Sequence, residues 1–396
     1  MEFFARPLAY LTQNRISTAG VVVASSAAIF WLFLLQAEDA NPYLGILTYG
    51  LLPLLLLLGL LLIPLGLWRQ RRSGRSAMPS DPRRLLGFLA LTTIVNLVVA
   101  SQTGYRAVEY MDGANFCGQT CHTPMQPEFT AYGYSKHSRV QCVKCHIGQG
   151  AGSLVKAKLN GLVQAKDFLS GNYHRPIPPP ADKLPTVQET CETCHARSAR
   201  QGEKFVVHHR YQDDEANSLK YSVLMVRVGA IHKAHFSSTK PELGGGTCRI
   251  CHNRPAHSFE RPEDAVDRAL TAGVIDRALP FAHKNAVAAL RAGSTGEDAH
   301  RRFMANYASG GSNASTSAKA VQAIFERNVF PDMKVTWGTY PNHLGHPDDT
   351  LGCFRCHDGT KATQDCNACH SLVAMEEDNP KVLADLGVME EKKPAP

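Results

Sequence analysis

Six times in this chain a histidine follows directly on the second of two closely spaced cysteines, and the six motifs use all twelve of its cysteines. The pairs are Cys117 and Cys121 before His122, Cys142 and Cys145 before His146, Cys191 and Cys194 before His195, Cys248 and Cys251 before His252, Cys353 and Cys356 before His357, and Cys366 and Cys369 before His370. Two thiols and an adjacent imidazole are what a c-type haem needs: the cysteines form thioethers to the porphyrin vinyl groups and the histidine binds the iron. Paired CxxC motifs can instead hold zinc, and a lone CxxC can be a redox disulfide. Neither chemistry asks for a histidine after the second cysteine every time, so the pattern predicts six covalently attached c-type haems. The first motif, CGQTCH, has three residues between its cysteines where the others have two, and its loop has to bulge to present both sulfurs.

The first hundred residues are a different material. Ala19 to Ala37 is apolar apart from small hydroxyl residues, Leu44 to Trp68 is leucine-rich, and Leu85 to Ser101 is shorter and carries Asn96. About 20 residues cross the hydrocarbon core, and at about 1.5 Å per residue the third run still reaches roughly 25 Å. Three transmembrane helices are expected. The loop from Arg69 to Arg84 holds six arginines and one aspartate, whereas the loop around Glu38 and Asp39 is acidic. Positive charge stays inside, so the N-terminus is expected in the cytoplasm and everything after Ser101 in the periplasm. That agrees with haem attachment on the outer side of the bacterial inner membrane. No small-residue cleavage site follows the first run, which reads as an uncleaved anchor.

The net charge of +7 does not point to nucleic acid, because the arginine loop alone contributes +5 of it. Haem propionates would make the exported part neutral to acidic, which removes the case for a phosphate-binding surface.

The expected fold is mainly α and irregular: N-terminal transmembrane helices, then a haem-packed multihaem cytochrome c domain. The exported part is rich in glycine and proline, and a conventional side-chain core is hard to draw; buried macrocycles would supply the apolar area. Motif spacing divides the chain into a membrane anchor over 1–105, a four-haem domain over 106–260 and an extension over 261–396 with two further haems. Within the motif-free gap Pro262 to Leu290 reads as helical, and GGSNASTSAKA, Gly310 to Ala320, as a loop. PIPPP at Pro176 to Pro180 reads as a stiff connector.

Low-spin haem iron needs a second axial ligand. Seventeen histidines less the six in the motifs leave His137, His174, His208, His209, His232, His235, His257, His283, His300, His343 and His346. His137 lies too close to Cys142 to reach its own haem and is expected to serve another. His232 and His235 share a helical face in IHKAH, as do His343 and His346 in NHLGH, and one of each pair is expected to ligate. His208 and His209 point differently, so at most one serves a given haem. The candidate distal set is His137, His209, His232, His235, His257, His343 and His346. Met125, three residues beyond His122, could bind the first iron through its thioether or simply pack on the porphyrin edge.

FCGQTCHTPMQPEFTAYGYSKHSRVQCVKCHIGQGAGSLVKAKLNG, Phe116 to Gly161, resembles the start of the NapC/NirT family of membrane-anchored multihaem quinol dehydrogenases, which includes the NrfH and CymA types. The similarity runs roughly from Leu85 to His257. The resemblance implies a first haem at the membrane surface beside the quinol, with a lysine and an acidic residue close by. The matching positions are Lys156 or Lys158 and Asp167. A competing reading makes SLVKAKLNGLVQAKDF an interfacial helix whose lysines meet lipid phosphates. The chain departs from the family in its two extra spans, in the added residue of its first motif and in the two further haems.

Fifteen residues separate Ser101 from Cys117, so the first haem stays near the outer membrane surface, within reach of a quinol in the bilayer. Quinol oxidation releases two protons and two electrons; a carboxylate such as Asp167 can take a proton and a lysine can hold the quinol oxygen. The expected function is transfer of electrons between the quinol (menaquinol) pool and a periplasmic cytochrome or reductase, as a quinol dehydrogenase. Two alternatives stand beside it: a passive electron-transfer subunit whose extra spans dock a membrane partner subunit, and a terminal reductase of a small oxidant.

Overall fold

The computed structural model describes residues 2–34, 50–74, 83, 94, 98, 101–120, 122–148, 150–179, 184–195, 201–236, 248–307, 311–346 and 352–388. The chain is mainly helical with little sheet, and divides into two compact units, Met1–Thr120 and Cys121–Pro396.

In the first unit, helices α1 (Glu2–Leu11), α2 (Arg15–Leu34) and α3 (Leu52–Arg72) come first. The windows Arg15–Leu32 and Leu52–Arg72, with mean hydropathy 1.5 and 2.0, are long and apolar enough to cross a membrane. These two helices pack through a seam of small residues. A Cβ on Gly59 would lie 2.5 Å from the Ala24 nitrogen, and one on Gly20 2.7 Å from the Gly59 carbonyl oxygen, so only glycine permits this approach. Polar clamps close the seam toward the arginine loop: Ser17 Oγ donates to the Ile63 carbonyl at 2.9 Å and Asn14 Nδ2 to Gln70 Oε1 at 2.9 Å. Leucines of α3, among them Leu54, Leu57 and Leu61, face outward, as a lipid-facing helix requires. The third expected span lies outside the described residues apart from Ile94, Val98 and Ser101. Residues 101–112 are helical and lead into α4 (Ala114–Gln119).

The second unit opens with α5 (His122–Gly133) and α6 (Ala151–Leu169). A three-stranded antiparallel sheet follows, formed by β1 (Lys204–Tyr211), β2 (Leu219–Val226) and, from the far end of the chain, β3 (His370–Glu377). Residue pairs His209/Tyr221 and Val226/His370 fix its register. Val223, Ala374 and Leu383 seal one face of the sheet. Helix α7 (Val228–Phe236) runs on directly from β2.

A helical block then fills the motif-free gap: α8 (Pro262–Thr271), α9 (Ala282–Ala292), α10 (Gly296–Met304) and α11 (Gly311–Asn328). The short α12 (Lys381–Asp385), which carries Leu383, comes after β3. Helix starts here obey local chemistry. Pro262 opens α8 with Glu263 and Asp264 in its first turn, where acidic groups meet the positive end of the helix dipole. Thr295 caps α10 by accepting from the Asp298 N–H. The block has a true side-chain core, with Val266, Leu290, Phe303, Val321 and Ile324 buried.

Three expectations are corrected here. A conventional core does exist, because alanine-rich helices of modest hydropathy still bury one face when their apolar positions are periodic. GGSNASTSAKA is not a loop: from Gly311 it is the first half of α11, where Ala314, Ser317, Ala318 and Val321 form a buried stripe at helical spacing. Small side chains read as loop composition, yet they let α11 pack closely on its neighbours. Pro262 to Leu290 is two helices, broken between Ala272 and Phe281, and the sheet went unanticipated.

Candidate haem sites

Five of the six cysteine motifs are described in full, and all five form one helical turn. Val143–His146, Cys248–Cys251 and Cys366–Cys369 are α-helical, whereas Cys191–Thr193 and Gly352–Arg355 are 3₁₀. Residues three apart on such a turn lie on one face, so both thiols point the same way. The turn is closed by the histidine itself. Its backbone N–H donates to the first cysteine's carbonyl at 3.0 Å for His146, 2.8 Å for His195, 2.7 Å for His252 and 3.1 Å for His357, and His370 makes the same bond to Cys366.

In four of the five fully described pairs the two cysteines differ in exposure. Cys194 stands just past the 3₁₀ turn that ends at Thr193, and it is exposed. Its N–H donates to the Cys191 carbonyl at 3.3 Å, and its Sγ accepts from Thr193 Oγ1 at 3.8 Å. Cys145, Cys353 and Cys366 are exposed too, so four motifs each hold one thiol at the surface and the other half-buried. The reason is geometric. A single turn has packing neighbours on one side only, and the cysteine on its outer edge meets solvent.

Each of these five histidines has a second imidazole opposite its ring. Centroids are 6.2 Å apart for His146 and His257, 6.0 Å for His195 and His137, and 6.4 Å for His252 and His232. They are 5.9 Å apart for His357 and His235, and 6.1 Å for His370 and His346. An iron bound by two imidazole nitrogens at about 2 Å each would hold the ring centres roughly 6 Å apart. The donor set and its spacing therefore fit five bis-histidine haems. Zinc fits less well, because among the described residues no three His, Cys, Asp or Glu side chains converge.

Hydrogen bonds aim the opposing rings. Nδ1 of His232 lies 2.8 Å from the Val228 carbonyl, that of His235 2.7 Å from Ile231, that of His257 2.9 Å from Glu128 and that of His137 3.1 Å from Pro255. A donating Nδ1–H leaves the Nε2 lone pair facing the partner ring, the arrangement that fixes a metal-binding tautomer. Burial, then His257, pushes the His146 imidazole below its ordinary value, against an opposing pull from Glu128. Burial, then His232 and His195, does the same to His252. Both effects favour the neutral form that binds metal.

Sequence reasoning expected one histidine of IHKAH to ligate; both rings face a motif histidine here, His232 toward His252 and His235 toward His357. Residues three apart on a helix differ by about 60° in direction, enough to reach two neighbours. In NHLGH the opposing ring is His346, which also stacks on Phe354 at 4.7 Å; His343 instead contacts the Ile250 carbonyl through Nδ1. His209 meets no motif histidine among the described residues; its ring packs edge-on against Tyr221 on the neighbouring strand. The Glu128–Arg254 ion pair, 2.7 Å long and largely buried, was not legible from sequence. It holds α5 against the segment that carries His257, and Arg254 lies 3.9 Å over the Tyr340 ring.

At the first motif, Cys117 sits in α4, while Cys121 and the His122 side chain lie outside the described residues. Met125 is half-buried on the first turn of α5. Lys156, Lys158 and Asp167 all lie on α6, which does not bring them together. At roughly 100° per residue Lys158 and Asp167 fall on opposite sides of the helix, and Lys156 is about 16 Å along the axis from Asp167. Between them runs an exposed apolar strip of Val155, Leu159, Leu162, Val163 and Leu169.

Neighbouring motifs are within electrostatic reach of one another. Burial, then Cys191, raises the Cys145 thiol, with a smaller push from Cys194; burial, then Cys353, raises Cys251; and burial, then Cys353, raises Cys369. His195 in turn acts on His252. The second to sixth motifs thus follow one another in space in the order of the sequence.

Residues 80–177 match the NapC/NirT cytochrome c family, N-terminal region. Over 452 residues the chain is 32% identical to the cytochrome c-type protein ImcH of Geobacter sulfurreducens, a match that spans 92% of this chain and 89% of that protein. No solved structure matches.

Proposed function

The chain belongs to the NapC/NirT cytochrome c family as a membrane-anchored c-type cytochrome, and from this premise we propose that it is a six-haem quinol dehydrogenase of the bacterial inner membrane. The observation that carries the reading is the set of five imidazole pairs, each of which joins a cysteine-motif histidine to a distant one at 5.9 to 6.4 Å. When bound, each haem supplies a one-electron site between a two-electron donor and its acceptors.

On this reading five cysteine pairs anchor haems between the paired histidines: Cys142 with Cys145, Cys191 with Cys194, Cys248 with Cys251, Cys353 with Cys356, and Cys366 with Cys369. Cys117 and Cys121 anchor the first, with His122 on one side and Met125 as its candidate second ligand. The apolar strip of α6 supports a helix lying at the membrane surface, with Lys156 and Lys158 at its borders. Asp167, at the same border as Lys156, is the proton acceptor from quinol, and a lysine orients the quinol oxygen. The arginine loop between Arg69 and Arg84 stays in the cytoplasm and the haem domain lies in the periplasm, where a cytochrome or reductase takes the electrons. The domain division 1–105, 106–260 and 261–396 belongs to the same reading.

A second reading is favoured by one observation: α6 holds Lys156, Lys158 and Asp167 too far apart to grip a single quinol head group. A passive electron-transfer subunit, with quinone chemistry on a membrane partner, needs no such grip. One experiment separates the two. Purified protein mixed with a reduced menaquinol analogue should show haem α-band reduction that Asp167→Asn abolishes, while dithionite still reduces every haem. Absence of quinol-driven reduction in the unmodified protein would favour the passive subunit, equal reduction in the variant would move the proton chemistry away from Asp167, and a pyridine haemochrome ratio other than six per chain would overturn the six-haem assignment.

A further inference from the structure

We propose that helix α7 is a shared ligand bridge: His232 is the distal ligand of the haem anchored by Cys248 and Cys251, and His235 that of the haem anchored by Cys353 and Cys356. The inference rests on the haem reading above and adds to it how the two C-terminal haems join the four that precede them.

The fourth and fifth motifs stand about a hundred residues apart in sequence, with the whole helical block between them. A separate C-terminal module would be the simplest expectation. Instead, one helix of nine residues faces both. Its two histidines are one turn apart, a rise of about 4.5 Å, and each is held by the carbonyl four residues before it, at 2.8 Å for His232 and 2.7 Å for His235. The opposing rings belong to different motifs, His252 and His357, so the two side chains cannot serve one iron.

The surroundings tie these two motifs to each other and to the sixth. Arg227, the residue before α7, reaches the sixth motif: its N–H donates to the Cys369 carbonyl at 2.8 Å, Nη1 to the Asn367 carbonyl and Nη2 to Ser371 Oγ at 2.9 Å. From the fifth motif Arg355 donates to the Ile250 carbonyl, inside the fourth, at 3.1 Å. Asn253 reaches the Pro341 carbonyl at 2.9 Å and accepts from the His343 N–H at 3.1 Å. The segment from Arg227 to His235 is thus the meeting point of motifs four, five and six. Because a helix is rigid over one turn, it fixes the spacing of the two irons more firmly than a loop would.

The two ring pairs also differ in a way that can be read without activity. His232 and His252 are nearly parallel, at 8°, whereas His235 and His357 are crossed at 61°. Parallel axial imidazoles split the iron d orbitals rhombically, and crossed ones move a low-spin ferric haem toward a signal with a larger maximal g value.

Full-length protein with His232→Ala, His235→Ala or both, examined by electron paramagnetic resonance, tests the bridge. Each single variant should retain six haems by pyridine haemochrome and convert one low-spin haem to high spin. His232→Ala should lose the rhombic signal, His235→Ala a large-g signal, and the double variant should show two high-spin haems. His232→Met and His235→Met guard against misfolding of the alanine variants: each should keep low-spin iron and raise the midpoint potential of one haem, a different haem in each case. Six haems with an unchanged low-spin complement, or a double variant with one high-spin haem, would overturn the bridge and leave the haem reading standing. Fewer than six haems in the unmodified protein would instead strike the haem reading itself.

Discussion

From Pro262 to Asn328 helix packs on helix around buried alanines, Leu290 and Phe303, whereas the stretches that carry the cysteine turns bury almost no apolar side chain. Among the described residues of 137–195 and 343–370, Val187 alone joins the buried hydrophobic set. Both regions have helical turns, capped ends and hydrogen-bonded histidines, so local structure does not separate them. What separates them is the source of apolar surface. The helical block makes its own from periodic small residues, and the cysteine turns are shaped to receive it from covalently held haem. On the proposed reading a region of the second kind can be glycine- and proline-rich and still be well determined, because two thioethers and an iron would fix each motif in place of packing neighbours.

The sharpest way to break this contrast is to remove one haem. Cys248→Ser with Cys251→Ser should lower the haemochrome ratio by one haem per chain and raise backbone hydrogen exchange around α7 and residues 248–257. Exchange in α8 to α11 should stay as it was; if the helical block loosened equally, its core would depend on haem as well. The converse cut is Phe303→Ala. Phe303 is fully buried and packs on Tyr307 at 4.9 Å, so its truncation should cost about 3–5 kcal/mol in urea unfolding followed by far-ultraviolet circular dichroism, with the haem absorption bands unmoved.

Glu128→Gln sits between these extremes. It removes the charge that pairs with Arg254 across α5 and should cost about 1.5–3 kcal/mol, measured by the same unfolding. It should also perturb the haem proposed between His146 and His257, since the Glu128 carboxylate lies 3.4 Å from His257 Nδ1; no change in that haem's potential would make the pair purely structural.

The smallest effect concerns acid. The Arg302 side chain, and then the Ser294 N–H, hold the Asp298 carboxyl well below the usual carboxylate range. A depressed folded value means that its contribution is complete above about pH 3.9, the unfolded value, and is lost as pH falls through the folded one. The thermal midpoint of the helical block should therefore drop on acidification below about pH 4. Asp298→Asn should flatten that dependence, and an unaltered profile would assign the acid sensitivity to other carboxylates.

How much of this was legible follows from the range of each interaction. The cysteine motifs are each written within six residues, so every cysteine and its adjacent histidine could be proposed for haem from spacing alone. Spacing did not say how deep each thiol would lie, and Cys194 at its exposed edge shows the gap: depth depends on which distant segments pack behind a turn. The apolar runs from Ala19 and from Leu44 announced α2 and α3 because their signal, too, is local. Distal ligands were only half legible. His137 could be sent away from its own motif by chain reach, but its meeting with His195 depends on a fold that no local pattern encodes. Within IHKAH the two rings face different motif histidines, His252 and His357, so a shared helical face does not mean a shared target. Gly311 to Ala320 misled in the opposite direction: glycine, serine and asparagine favour loops when exposed, yet the buried stripe from Ala314 to Val321 overrode that preference. Glu128 and Arg254 lie far apart in sequence, and nothing in either neighbourhood announces the other.

The direction in which the paired histidines span the chain also carries a consequence in time. On the proposed ligand map His137, His232, His235 and His346 all precede the motifs they serve, while His257 follows His146 by more than a hundred residues. A periplasmic part that emerges in sequence order would therefore present most distal imidazoles before the matching cysteines arrive. The exception is the second motif, whose haem would wait with one face uncovered until the segment after Cys251 emerged. During that interval it would be the point at which a stray thiol, imidazole or small ligand could intrude, and so the step at which assembly is most open to error.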